Sequence, residues 1–289
     1  MLKKTVGTLK RSFLIDASKQ HIANNEDVIY HDHDFIEYVY VLSGKGIYVI
    51  NGIEKEIHAG DFFITDYKDI HTYNVIDEET LDILNICFQP RFIDNSLHFC
   101  DKYSDVISNY LIKYNLPLSD TKFSDSVFHD HDKKILFWAE NIYNELLEKK
   151  DAHFEMVRGY LILLTISILR EFGKNSYMNY NPITTNVLNY INNHFTQDLS
   201  LNNICHTMHY SVPYTSKLIK KETGMTFTDH LHKIRIQHAC RFLANTDLKI
   251  KDIAIVVGFN DLKNFNKEFK KQIGCTPSEF RNIDKYHIN

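Results

Sequence analysis

The hydrophobic rhythm of the chain changes twice. From about Val28 to Phe88 apolar residues come in short runs: Val39-Tyr40-Val41-Leu42, Ile47-Tyr48-Val49-Ile50, Phe62-Phe63-Ile64 and Leu81 to Phe88. Runs this rich in β-branched and aromatic residues predict strands. Ser43-Gly44-Lys45-Gly46 predicts a turn between the first two runs, and Gly60-Asp61 marks another break. Asn51-Gly52 predicts a type I′ hairpin, because that pair tolerates positive φ at both central positions. Several short strands with regular turns predict an antiparallel sandwich or barrel.

After Pro90 the period becomes helical. Ile135, Trp138, Ile142 and Leu146 recur at helix spacing, and Phe154 to Phe172 predicts a second helix, apolar on most sides from Leu161 to Leu169. A helix apolar nearly all round needs cover on more than one face. The barrel can supply one cover and a second subunit the other. Lys174 to Pro182 is polar and aperiodic and reads as a linker, after which short helical segments alternate with turns. Phe13-Leu14-Ile15 is the longest apolar run near the N-terminus, short of the roughly 7–15 residues of a signal peptide. Tyr160 to Leu169 falls short of the roughly 20 residues of a membrane span. No membrane partner and a cytoplasmic location are expected.

Charge sharpens the division. Over the 289 residues the formal net charge is −4, which discourages a nucleic-acid partner. From Tyr180 onward there are 14 Lys and Arg against 9 Asp and Glu, a net +5, while the remainder carries −9. Such asymmetry predicts two domains with different partners. The five cysteines are widely spaced and odd in number, as expected of free thiols in a reducing compartment.

The basic half holds two helix-turn-helix patterns, at 200–221 and 250–271. In the first, Leu201, Ile204 and Cys205 form a short amphipathic helix behind Ser200, and His209-Tyr210 fits the turn. Ser211 is placed to cap a second helix with Tyr214, Leu218 and Ile219 inward and Lys217, Lys220 and Lys221 outward. In the second, Ile250, Ile253 and Ala254 precede the turn at Gly258-Phe259. Asp261 caps a helix with Phe265 and Phe269 inward and Lys263, Lys267, Lys270 and Lys271 largely outward. A helix over about Phe227 to Leu243 joins the two units. Two recognition helices on one bar can enter successive major-groove segments, roughly 34 Å apart.

These residues resemble the DNA-binding domain of the AraC/XylS family. The resemblance rests on Lys217-Leu218-Ile219-Lys220-Lys221-Glu222-Thr223-Gly224, then on Ile253-Ala254, Gly258-Phe259, Phe265, Lys267, Phe269-Lys270-Lys271, Gly274, Thr276-Pro277 and Phe280-Arg281. It spans about 100 residues, with turn glycines, core aromatics and the closing Thr-Pro all in register. The resemblance implies base contacts from Pro213, Ser216 and Lys217 in the first recognition helix and from Leu262, Lys263, Asn266 and Lys267 in the second. Lys can donate to guanine and Asn can pair with adenine. Pro213 and Leu262 depart from the family pattern and can offer only apolar contact. Lys220, Lys221, Lys270, Lys271 and Arg281 suit phosphates, which position without reading sequence.

In the acidic half, strand alternation puts His31, His33, Phe35, Glu37, Val39 and Val41 on one face and Tyr38 and Tyr40 on the other. His31, His33 and Glu37 with the later His71 resemble the metal set of the cupin barrel, although Asn25, Asp66 and Lys68 depart from its flanking pattern. Regulators of the AraC type carry a cupin-like sensory barrel, so the four residues are expected to bind a small-molecule ligand, with no cofactor. A divalent metal on the same four is the secondary expectation. His129-Asp130-His131-Asp132 reads as an exposed loop.

The expected fold is α+β: a cupin-like antiparallel β-barrel (10–98), a helical dimerisation region (101–173), a linker (174–182) and an all-α DNA-binding domain with two helix-turn-helix units (183–285). The expected function is a homodimeric, sequence-specific transcription regulator, an activator that contacts RNA polymerase and answers to a small molecule such as a carbohydrate. It is not expected to be an enzyme; a metal-dependent cupin enzyme fused to a DNA-binding domain is the alternative.

Overall fold

A computed structural model describes residues 6–9, 13–23, 30–76, 80–110, 123, 126–175 and 180–283. The chain divides into two units, one holding the strands and the other the helices from Pro182 onward.

Among the described residues the strands are β1 (Val6–Leu9), β2 (Ile15–Ala23), β3 (Tyr30–His33), β4 (Ile36–Ile50), β5 (Ile53–His58), β6 (Asp61–Thr65), β7 (His71–Val75), β8 (Thr80–Phe88) and β9 (Val127–His129). They pair into two sheets that share β4, one running β1-β3-β7-β4-β5 and the other β2-β8-β4-β6-β9. All pairs are antiparallel except β1 with β3. Asn51-Gly52 forms the expected two-residue hairpin between β4 and β5, with φ of 48° and 83°.

The expected turn at Ser43 to Gly46 is not a turn. β4 runs straight through it for 15 residues, with a bulge between Val41 and Ser43. The extra residue reverses the parity of the strand: Val39 and Val41 face the interior before it, Tyr48 and Ile50 after it. Gly44 sits at φ +85°, and a Cβ there would fall on the Thr80 carbonyl. The glycines read as turn residues because they let a bent strand change sheets.

The other face of β4 and β8 is covered by helices. These are α1 (Tyr103–Tyr110), α2 (Lys134–Glu148) and α3 (His153–Asn175). Ile135, Ala139, Leu164 and Ile168 pack over Tyr38, Tyr40, Leu84 and Ile86, and Tyr38 Oη lies 3.2 Å from Thr165 Oγ1. Asp66, one of the residues that breaks the cupin pattern, accepts the Tyr103 N–H at 2.8 Å and so caps α1. Burial, with Asp69 and Asp105 nearby, pushes its carboxyl up to about 7.

A second correction concerns His129 to Asp132. Val127–His129 is a strand paired with β6, and His129 Nδ1 lies 2.7 Å from Asp61 Oδ1. Asp130 is buried, where its carboxylate accepts the backbone N–H groups of Lys134 and Leu136 at the start of α2. The lone strand is too short to show an alternating pattern. Residues 176–179 of the expected linker, and Asn25, lie outside the described residues.

The second unit contains α4 (Pro182–His194), α5 (Leu201–Met208), α6 (Val212–Thr223), α7 (Phe227–Asn245), α8 (Ile250–Val256), α9 (Leu262–Ile273) and α10 (Pro277–Ile283). It has two cores, and α7 serves both. Val187, Leu188, Ile191, Ile204 and Ile219 close on Phe227, Leu231 and Ile234. Ile253, Ala254, Val257, Phe259, Phe265, Phe269 and Phe280 close on Ile236, Ala239, Cys240 and Leu243. Between the two stands Arg235, buried within α7. Its Nε donates to the Phe195 carbonyl at 2.8 Å and its Nη2 to the Gln197 carbonyl at 2.7 Å. Its guanidinium also lies over the Phe259 ring, 5.6 Å from the centroid.

Candidate functional site

Each helix-turn-helix unit is a short helix, a left-handed turn residue or glycine, and a longer helix. α5 starts on Ser200, whose side chain accepts the Asn203 N–H, and ends at His209 with φ 58°. α6 follows, with Thr215, Ile219 and Thr223 buried at a spacing of four. In the second unit α8 leads to Gly258 at φ +92°, where a Cβ would press on the Phe195 and Thr196 carbonyls. The Asp261 carboxylate then caps α9 by accepting the N–H groups of Lys263 and Asn264. Gly224 and Gly274 end the two long helices in left-handed conformation, as Gly does at a C-terminal cap.

The outward faces carry the expected residues. Pro213, Ser216, Lys217, Lys220 and Lys221 are exposed on α6, and Leu262, Lys263, Asn266, Lys267, Lys270 and Lys271 on α9. Tyr214 was expected inward but is 53% exposed. Thr215 takes the core position instead, and a threonine there gives no apolar signal to read. Tyr214 therefore joins Pro213 and Ser216 on the exposed face at the start of α6, with a ring and a hydroxyl to offer. Ser211 stands at the N-cap of α6 but makes no capping bond. Arg281 differs from the lysines grouped with it: it is half-buried, with its Nε and Nη2 enclosed and unpaired among the described residues. Lys271 lies 3.7 Å from the buried Glu268, which also lies 3.5 Å from His232 of α7. Arg235 and Glu268 gave no signal in the sequence, because a lone charge on an amphipathic helix reads as solvated.

Inside the barrel the alternation predicted for β3 and β4 holds. His33, Glu37 and His71 are buried together, with donor atoms of all three within 4.8 Å of one another. Glu37 Oε2 lies 3.2 Å from His71 Nε2 and 3.5 Å from His33 Nε2. Burial opposes the charge on Glu37, but the two facing imidazoles outweigh it and hold the carboxyl far below the usual range. Tyr73 Oη donates to Glu37 Oε2 at 3.4 Å, and Cys87 Sγ approaches Oε1 at 3.6 Å. His31 does not join this set. Its ring lies against that of His71, inclined by 55° with centroids 4.2 Å apart, on the register pair that links β3 to β7.

Comparison with known proteins agrees with this division. Residues 20–103 match the model of an AraC-like ligand binding domain, and residues 204–283 that of a helix-turn-helix domain. The HTH-type transcriptional activator RhaR of Mannheimia succiniciproducens is 25% identical over 251 residues, which cover 87% of this chain and 86% of RhaR. The HTH-type transcriptional activator RhaS of the same organism is 22% identical over 253 residues, 87% of this chain and 88% of RhaS. Among solved structures, the C-terminal domain of AraT, a response regulator from Geobacillus stearothermophilus, is 36% identical over 36% of this chain and 88% of that one, with a TM-score of 0.36.

Proposed function

Because the chain belongs to the AraC/XylS family of transcription regulators, we propose that it reads promoter DNA with α6 and α9 and answers to an effector held in the barrel. That it is a DNA-binding regulator controlled by a ligand follows from its two matched domains. One observation carries the finer reading: two basic helices stand exposed on cores that share α7. Recognition helices need this rigidity, because each must enter its groove in register with the other.

The residue roles follow. Pro213, Tyr214, Ser216 and Lys217 meet bases in one groove segment, and Leu262, Lys263, Asn266 and Lys267 in the next. Lys220, Lys221, Lys270 and Lys271 engage phosphates. In the barrel the effector is a small polar molecule, with carbohydrates the leading class. The regulator is an activator, as RhaR and RhaS are, and works on RNA polymerase in the cytoplasm. It acts as a homodimer through α2 and α3, where Phe137, Leu147, Met156 and Leu163 are exposed. Exposed apolar side chains on both helices favour an interaction surface there.

The test is selection of DNA duplexes by the full chain from a random pool, then fluorescence anisotropy across a salt series. A defined paired site should emerge. Replacing one phosphate-contacting lysine should lower the slope of log affinity against log salt by about 0.9. Binding without sequence preference would refute the reading.

A further inference from the structure

We propose that Arg235 is a positioning residue for DNA reading: it holds α6 and α9 in one relative register and so sets the number of base pairs between the two base groups that the chain recognises. In this role Arg235 deepens the DNA reading above and rests on it.

Three segments of the second unit meet at its guanidinium. The first is the connection from α4 to α5. Phe195 is the C-cap of α4, and carbonyls at a helix end lack partners within the helix. Arg235 takes up two carbonyls there, that of Phe195 through Nε at 2.8 Å and that of Gln197 through Nη2 at 2.7 Å. The second is the turn between α8 and α9. Gly258 comes so close that a Cβ would lie 2.8 Å from the Phe195 carbonyl oxygen, 2.9 Å from that of Thr196 and 3.0 Å from Arg235 Nε. The Phe259 ring follows, with the guanidinium 5.6 Å from its centroid. The third segment is α7, which carries Arg235 and walls both cores.

The tethers from this point are short. Three residues separate Gln197 from the first residue of α5, and two separate Gly258 from Asp261, the cap of α9. A shift at the guanidinium therefore passes to both recognition helices. The charge itself favours a role beyond filling space. Arg235 is buried; burial opposes its charge, and Asp198 offsets that only in part. An apolar side chain of similar volume would fill the place without that cost. What it would lack is direction. Apolar surfaces tolerate small displacements, whereas a planar fork of donors holds two acceptors at fixed angles.

The experiment uses the full chain and the duplex it selects from a random pool. Fluorescence anisotropy is measured on that duplex and on two others, with one base pair inserted or deleted between the two base groups, a change of about 3.4 Å and about 34°. For the unaltered chain either change should weaken binding about tenfold or more, as a mismatch does. Arg235→Met keeps an extended side chain and loses every donor. It should bind the selected duplex more weakly and shrink the spacing penalty to about threefold or less. An unchanged penalty, whatever the loss of affinity, overturns the proposal and leaves Arg235 a structural residue only. If circular dichroism shows that the Met variant does not fold, Arg235→Lys decides. Lys keeps the charge but has no fork for two acceptors, so the penalty should again fall, and its persistence overturns the proposal. A chain that selects no sequence refutes the DNA reading and this proposal with it. One that selects a site yet tolerates the insertion and the deletion overturns this proposal alone.

Discussion

Lys217 and Lys263 are exposed on α6 and α9, Lys217 one turn inside its helix and Lys263 in the first turn of its own. Lys217→Ala or Lys263→Ala should relax preference at one base position by about 1–3 kcal/mol, measured by anisotropy on single-base variants of the selected site. A loss uniform across sequences would place them on phosphates. The exposed basic face of α9 was legible because Lys and Phe alternate there with helix period. Tyr214 was not, since aromatic residues default to the core and only the buried Thr215 displaces it. Asp66 follows another logic. Its carboxyl is pushed up to about 7 in the folded chain, against about 3.9 unfolded. The folded state therefore binds the extra proton between those values, and stability falls as pH rises from about 4 to about 7. Asp66→Asn keeps an acceptor for the Tyr103 N–H and carries no charge. It should be more stable than the parent at pH 8, by at most about 4 kcal/mol, and equal to it at pH 4; urea denaturation at the two values checks this.

At the scale of elements, β4 is the place where sequence and structure part. Two apolar runs flanking two glycines read as two strands and a turn, since turn chemistry and bulge chemistry use the same residues. What distinguishes them is the parity of the buried positions: odd residues up to Val41 and even ones from Tyr48. Parity is visible in the sequence only once the inside face is known. Gly44→Ala tests the bulge. It meets positive φ and the Thr80 carbonyl together, so it should cost on the order of 1–3 kcal/mol. The matching Gly52→Ala meets no neighbouring atom and pays only for its φ. Denaturation midpoints of the two variants should separate accordingly. Helices were easier to read, with α7 predicted over Phe227 to Leu243 and found to Asn245. Asp130 was missed because its partners are backbone N–H groups of α2, which leave no mark on side-chain periodicity.

At the scale of the whole molecule, the net charge of −4 conceals an acidic and a basic part. The sign change falls near the division between the two units, so charge located the unit suited to phosphates before any contact was known. Subunit assembly is tested on α3. Leu163 is 41% exposed, while Val157, Leu161, Leu164 and Ile168 on the same helix are fully covered. Leu163→Glu should give a folded monomer by sedimentation, with affinity for the paired site reduced and affinity for a single half-site kept. An unfolded product would place Leu163 in the core. α7 itself has a further consequence. Ile234 belongs to one hydrophobic cluster and Ile236 to the next, with Arg235 fastened between them. A common wall of this kind makes the unfolding of either half expose the other. The two helix-turn-helix units are therefore expected to melt as one cooperative body, and a lesion in one to weaken the DNA contacts proposed for the other.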